Sequence, residues 1–357
     1  MNFSLLQKLT IVILTYNRHK SLKRTIKYWL NYNVKLLILD GSQVKLEDPC
    51  LKSKNITYIN NTNGIYARFL STIDYIDTEF MILSCDDEFY LPSPLSLSIN
   101  FLKNNPTFSC CGGCALGFGL TAENNFYGKE RYPNLKNVNL NQDYAEERIQ
   151  NHFSNFLPAH FYSVVRSSIW KTISKHVFVK EYIFHAALEL QVEFLILVAG
   201  KTKIIPELMW MRNMNENIPI RGKDQSNRPS YAYTINDWWT DKLKKKDKED
   251  FLYRMKNACE DLSRNMDTKL KEDQISKLYK LYINEVYTKK SFIRKLLNLI
   301  PSKLNKLIKS ILGLNKTVDN KSIEDQAKVL EAQDILVNYR ELSQIILALK
   351  NSIIKIS

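Results

Sequence analysis

The sequence predicts a doubly wound α/β domain with a mainly parallel sheet, continued by a C-terminal helical extension. Three observations carry that expectation. Leu9–Leu14, Val34–Leu39, Ile56–Ile59 and Phe80–Leu83 are short, nearly continuous apolar runs, as in strands buried on both faces. Segments of helical spacing separate them, which implies right-handed crossovers between parallel strands. Beyond about residue 235 glycine nearly vanishes, Gly313 being the only later one, and charged helical patterning takes over.

The first strand ends at Thr15-Tyr16-Asn17-Arg18, and Leu22, Ile26, Trp29 and Leu30 then mark a helix over 21–30. Asp40-Gly41-Ser42 closes the second strand, and the third runs into Asn60-Asn61-Thr62-Asn63-Gly64. A helix from about Ile65 to Ile76 leads to the fourth strand and its terminal acids, Asp86-Asp87-Glu88. Further on, Ala187–Val198 reads as an apolar helix bearing Glu189 and Glu193 four residues apart, hence on one face. Packed helices are expected over 250–286. The stripe through Leu330, Val337, Leu342, Ile345 and Leu349 is expected to pair with itself or a neighbour.

A net charge of +14 favours phosphate-rich or anionic-lipid partners. Residues 286–318 alone carry eight cations and no acid. Within them Leu304, Leu307, Ile308, Ile311 and Leu312 form an apolar stripe, the pattern of a helix lying on an anionic bilayer. No run reaches the ~18 apolar residues of a membrane span. Met1–Lys8 leads straight into a strand, which predicts no signal peptide. The expected location is cytoplasmic, peripheral on the inner face of a bacterial membrane. Cys110, Cys111 and Cys114 lack a second Cys or His pair nearby, so they read as strand residues in a reducing compartment rather than a zinc site. His160 and His185 read as core or helix-surface histidines.

The acids of 86–88 are the sharpest chemical signal. Charge at the tip of a buried strand calls for a partner, and hard divalent cations take carboxylate oxygens together with substrate phosphates. Open α/β sheets bind ligands at the carboxyl ends of their strands, where Asp40 also stands. Neither GxGxxG nor GxxxxGK[ST] occurs, so a dinucleotide fold and a P-loop are not signalled. Arg18 and Arg68 have the fork geometry that suits a pyrophosphate.

The order and spacing of LTIVILTYNRHKSLKRTI, LLILDGS and TEFMILSCDDEFYLP resemble family 2 glycosyltransferases of the GT-A fold. FLKNNPTFSCCGGCALGF, FLPAHFYSVVRSS and HAALELQVEFLILVAGKTKIIPELMWMRN resemble a bacterial subgroup that decorates surface polysaccharides. The resemblance covers roughly residues 8–215. It implies a GT-A transferase domain, expected over 1–235, while the change of texture beyond it predicts a helical extension over 236–357 with a membrane-associating segment at 286–316. The implied reaction is metal-dependent, inverting transfer of a sugar from a nucleotide diphosphate sugar, a UDP-sugar being favoured, to a glycan or lipid-linked hydroxyl. Thr15, Tyr16, Asn17 and Arg18 would border the nucleotide, with Asp40 on base or ribose and Arg68, Asp87 and Arg212 nearby. Asp86 and Glu88 match the outer positions of the DXD element and would hold Mn²⁺ or Mg²⁺, Glu88 standing where Asp is usual. Glu189, or secondly Glu193, would serve as the base. Two other readings are a nucleotidyltransferase, disfavoured because Thr15–Lys20 lacks glycine, and a non-catalytic binder of nucleic acid or anionic lipid. Nucleic acid is disfavoured because the surplus charge sits on an aliphatic stripe.

Overall fold

The computed structural model describes residues 3–121, 123, 125–184, 186–214, 234–263, 270–289 and 321–351. The basic stripe expected over 286–316 (all but its first residues), the segment 221–228 read as a loop that closes over a donor, and His185 lie outside them.

Ten strands form one mixed sheet: β1 (Leu9–Thr15), β2 (Lys35–Asp40), β3 (Ile56–Asn60), β4 (Phe80–Cys85), β5 (Phe89–Tyr90), β6 (Phe108–Leu120), β7 (Phe126–Arg131), β8 (Asn139–Leu140), β9 (Val164–Arg166) and β10 (Lys201–Asn213). The order is β3-β2-β1-β4-β9-β6-β10-β5, with β7 paired to β6 and β8 to β10. The pairs β3–β2, β2–β1, β1–β4 and β6–β10 are parallel, whereas β9 joins β4 and β6 antiparallel.

Successive strand residues face opposite sides of a sheet, and both sides here are covered. Ile11, Ile13, Leu36, Ile38, Phe80 and Ile82 enter one core, while Val12, Leu37, Leu39, Met81 and Leu83 enter the other. The first core is roofed by α1 (His19–Trp29) and α3 (Pro92–Asn104). The second is roofed by α2 (Ile65–Tyr75), α4 (Ala145–Ser154), α5 (Ser167–Val177) and α6 (Ala187–Ala199). These bounds differ from the expected ones by one or two residues, as fraying ends do.

The C-terminal helices join both cores. After the short α7 (Ile235–Thr240), α8 (Lys245–Leu262) and α9 (Glu272–Ile283) bring Phe251, Met255, Ile275 and Tyr279 into the second. α10 (Ile323–Glu331) and α11 (Tyr339–Lys350) bring Leu330, Leu342, Ile345 and Leu349 into the first. The stripe expected to pair with itself or a neighbour therefore packs on its own sheet. Glu341 fixes that docking: it accepts from Ser93 N at 3.0 Å and from the Ser93 hydroxyl, placing a carboxylate at the N-terminus of α3.

Candidate functional site

Strand register assembles the site. Thr15 lies opposite Asp40 and Leu14 opposite Cys85, so the ends of β1, β2 and β4 are level. The turn after β4 carries Asp86, Asp87 and Glu88 into β5, which pairs antiparallel with β10 through Phe89↔Met211 and Tyr90↔Trp210. The acids are thus gripped from two sides, by the first strand and by the last.

On the β1 side, Thr15 Oγ1 donates to Asp86 Oδ2 at 2.6 Å, and Arg18 pairs with both Asp86 (3.0 Å) and Asp87. Thr25 Oγ1 of α1 donates to the Asp86 carbonyl at 2.7 Å, clamping the turn itself. On the β10 side, Asn213 Nδ2 donates to Asp87 Oδ2 at 2.8 Å and Trp210 Nε1 to Glu88 Oε2 at 3.0 Å. Arg212 Nε stands 3.9 Å from Glu88 Oε1. All three acids are at most 5% exposed. Burial, reinforced by the Asp87 charge and opposed by Arg18, pushes Asp86 up to about 7. The same two causes, opposed by Arg212, push Glu88 up to about 8.

Asp86 and Glu88 therefore lean toward opposite strands, yet each keeps one oxygen outside the hydrogen-bond network. Asp86 Oδ1 is buried and lies near Arg18 without an aligned hydrogen bond, and Glu88 Oε1 has only the distant Arg212 among the described residues. Each becomes an oxygen donor of the kind a hard divalent cation takes once it gives up the proton that burial holds on it.

Asp40 is placed differently from the expectation of a direct nucleotide contact. It is fully enclosed, accepting from Ser42 N (2.8 Å), Ser42 Oγ (2.5 Å) and Tyr58 OH (2.7 Å), with His19 Nε2 at 2.9 Å. Those bonds outweigh burial and hold its carboxyl below the usual range. Asn17 N in turn donates to Ser42 Oγ at 2.7 Å, so Asp40 orders the loop at the end of β1. The exposed Asn17 adopts a left-handed φ of 55°, a conformation that asparagine tolerates better than most residues. Tyr16 is half-buried beside it. The Arg68 guanidinium lies against Gly41, where a Cβ would fall 1.2 Å from Nη1. Only glycine permits that approach.

An aromatic wall, absent from the sequence expectations, surrounds Arg212. Tyr162 stacks on Trp210 at 4.3 Å and Tyr132 at 6.0 Å, and the Arg212 guanidinium sits 5.2–5.8 Å from all three rings. Arg212 also donates to the Tyr132 hydroxyl. These residues come from β10 and two separate loops, so no local pattern signals them. Residue type offers one clue, since aromatic rings beside an arginine suit a site that holds an amphipathic ligand.

The two glutamates of α6 part company. Glu193 is fully buried, accepting from the His160 and Phe161 amides (2.9 and 2.8 Å), with His160 Nδ1 at 2.6 Å and His152 Nε2 at 3.0 Å. Burial raises its pKa, but the two histidines more than offset that and bring it down to about 2. Ligand atoms sharing one tetrahedral ion would stand about 3.4 Å apart, so the 2.6 Å contact marks this trio as hydrogen-bonded rather than metal-bridged. The expectation of Glu193 as the second candidate base is corrected: every face of its carboxylate is occupied and no solvent reaches it. Glu189, in the first turn of α6 just after the left-handed Ala186 (φ 62°), makes no hydrogen bond or ion pair among the described residues. Burial and the Glu193 charge, opposed by Arg212, push it up to about 7. The Arg212 charge acts on both Glu88 and Glu189, so the α6 acid lies within electrostatic reach of the acid turn.

The fold is an α/β sheet with its polar strand ends gathered at one edge. No family model and no curated protein matches the chain. Among solved structures it is similar to S. aureus TarS. For residues 1–349 of that protein the identity is 12%, with 83% of this chain and 84% of that chain covered and a TM-score of 0.44. For a longer TarS chain the identity is 9%, with 70% of this chain and 48% of that one covered and a TM-score of 0.43.

Proposed function

We propose that the chain is a GT-A-type glycosyltransferase acting in cell-surface polysaccharide synthesis. It would move a sugar, with inversion, from a nucleotide diphosphate sugar to a hydroxyl of a glycan or lipid-linked acceptor. The observation that carries this reading is the acid turn 86–88 held between Arg18 and Arg212, with Glu189, which makes no hydrogen bond or ion pair among the described residues, within electrostatic reach of the same arginine.

In this reading Asn17, Arg18, Arg68 and Tyr16 border the nucleotide, and Asp40 acts as a positioning residue through Ser42. Asp86 and Glu88 would hold a divalent ion, Mn²⁺ or Mg²⁺. When bound, the ion supplies charge stabilisation of the diphosphate leaving group. Arg212 neutralises the same developing charge, and its aromatic neighbours keep water from the diphosphate. Glu189 takes the proton as the acceptor oxygen bonds to the anomeric carbon and the bond to the diphosphate oxygen breaks. Localisation at the inner face of the membrane is part of the same proposal. It is supported by the basic stripe of the sequence and is consistent with the lack of any described helix long and apolar enough to cross a bilayer.

Replacing Asp86 and Glu88 together by Ala is expected to abolish Mn²⁺-dependent binding of UDP in calorimetry while the chain stays folded. Binding by the wild type that ignores EDTA would refute the metal assignment. Gly41→Ala is expected to displace Arg68 and weaken UDP binding several-fold with little change in melting temperature. Unchanged affinity would remove Arg68 from the nucleotide site.

A further inference from the structure

A second concave site lies away from the acid turn, between α1 and α11. Its cavity measures about 920 Å³. One wall is the α1 face bearing Lys20, Lys23, Arg24 and Lys27, and the other carries Gln344, Leu347 and Ala348. The four cations fall at i, i+3, i+4 and i+7, so a single helix face presents all of them. Asp48 neutralises Lys23 at 3.0 Å and is the only carboxylate in the lining. No described carboxylate lies within ion-pair reach of Lys20 or Lys27. Arg24 turns inward, 5.4 Å from the Phe89 ring, and burial lowers its pKa.

This arrangement opposes the stability of α1. Like charges one turn apart repel, and Lys20 in the first turn faces the positive end of the helix dipole, while Lys27 in the last turn is favoured by it. α1 has no acid in its first turn to relieve them. The cavity also offers apolar surface, with Tyr28 in its lining and Leu347 exposed at 59%.

We infer that this cavity is an anion site for a phosphoryl-bearing ligand, holding its phosphates on Lys20 and Lys27 and its apolar part against Tyr28 and Leu347. The two lysines suit well-separated phosphoryl groups, and the open rim admits either a soluble oligophosphate or the headgroup of an anionic lipid. The site does not depend on the transfer reaction, because none of its residues belongs to the acid turn or to α6.

The test uses the full-length chain with two probes, tripolyphosphate in solution and vesicles of phosphatidylglycerol, at several salt concentrations. Lys20→Gln/Lys27→Gln is expected to weaken the bound probe at least tenfold and to flatten its salt dependence. Ala348→Glu, which adds a carboxylate from the opposite wall and leaves α1 intact, is expected to weaken it likewise. Loss confined to tripolyphosphate identifies a soluble phosphate ligand, and loss confined to vesicles identifies a lipid headgroup. If both folded variants bind both probes as the wild type does, or if the wild type binds neither, the site is not there.

Discussion

Glu189→Gln is expected to lower kcat by about 10²–10⁴-fold, the range typical of a lost general base, while UDP affinity stays within twofold of wild type. Glutamine keeps the shape but cannot take the acceptor's proton. Because burial holds the Glu189 carboxyl up to about 7, the base is protonated and idle below neutrality. Wild-type activity should therefore rise with pH through about 7 and level off above it. The variant's residual rate should lack that limb. A Glu189→Gln enzyme with wild-type kcat, or one that keeps the same rising limb, would assign the proton transfer elsewhere.

The second large effect concerns stability. Glu193→Ala is expected to cost about 3–5 kcal/mol, the usual consequence of removing one partner from a buried charged network. It leaves His160, His152 and two amides facing an empty space in the core. Urea denaturation followed by circular dichroism measures the cost, and a loss below about 1 kcal/mol, the size of an ordinary substitution, would contradict it.

The pH dependence has a definite sign. Glu193 titrates lower in the folded chain than in the unfolded one, so its contribution is complete above the ordinary glutamate range and is lost as pH falls toward about 2. His152 adds in the same direction, because burial holds it below its usual value and the unfolded chain takes up a proton first. The decline in stability between pH 5 and 3 should therefore be shallower in Glu193→Ala than in wild type, the raised carboxyls of Asp86, Glu88 and Glu189 acting in the opposite sense in both chains.

The strands were legible because burial on both faces leaves a one-dimensional trace. Leu9–Leu14 and Val34–Leu39 are apolar at every position but Thr10 and Lys35, and β1 and β2 form there with parallel register. The acid turn was equally plain, since three carboxylates directly after such a run stand out in any chain. Glu189 and Glu193 looked equivalent, being four residues apart on one helix. What separates them is a pair of histidines 41 and 33 residues upstream of Glu193, at 152 and 160, which only folding brings against it. Asp40 likewise gave no hint that Ser42, Tyr58 and His19 would enclose it.

By itself, then, the sequence determined the alternation of buried strands and helices, the acids that end the fourth strand and the surplus of positive charge. Those features depend on neighbours a few residues away, which periodicity and composition record. Only the tertiary structure decided that β10 returns beside β5 to set Trp210 and Arg212 on Glu88, and that α11 closes over the cationic face of α1. Both are contacts between segments more than a hundred residues apart. Long-range packing, rather than any local preference of the chain, selects them.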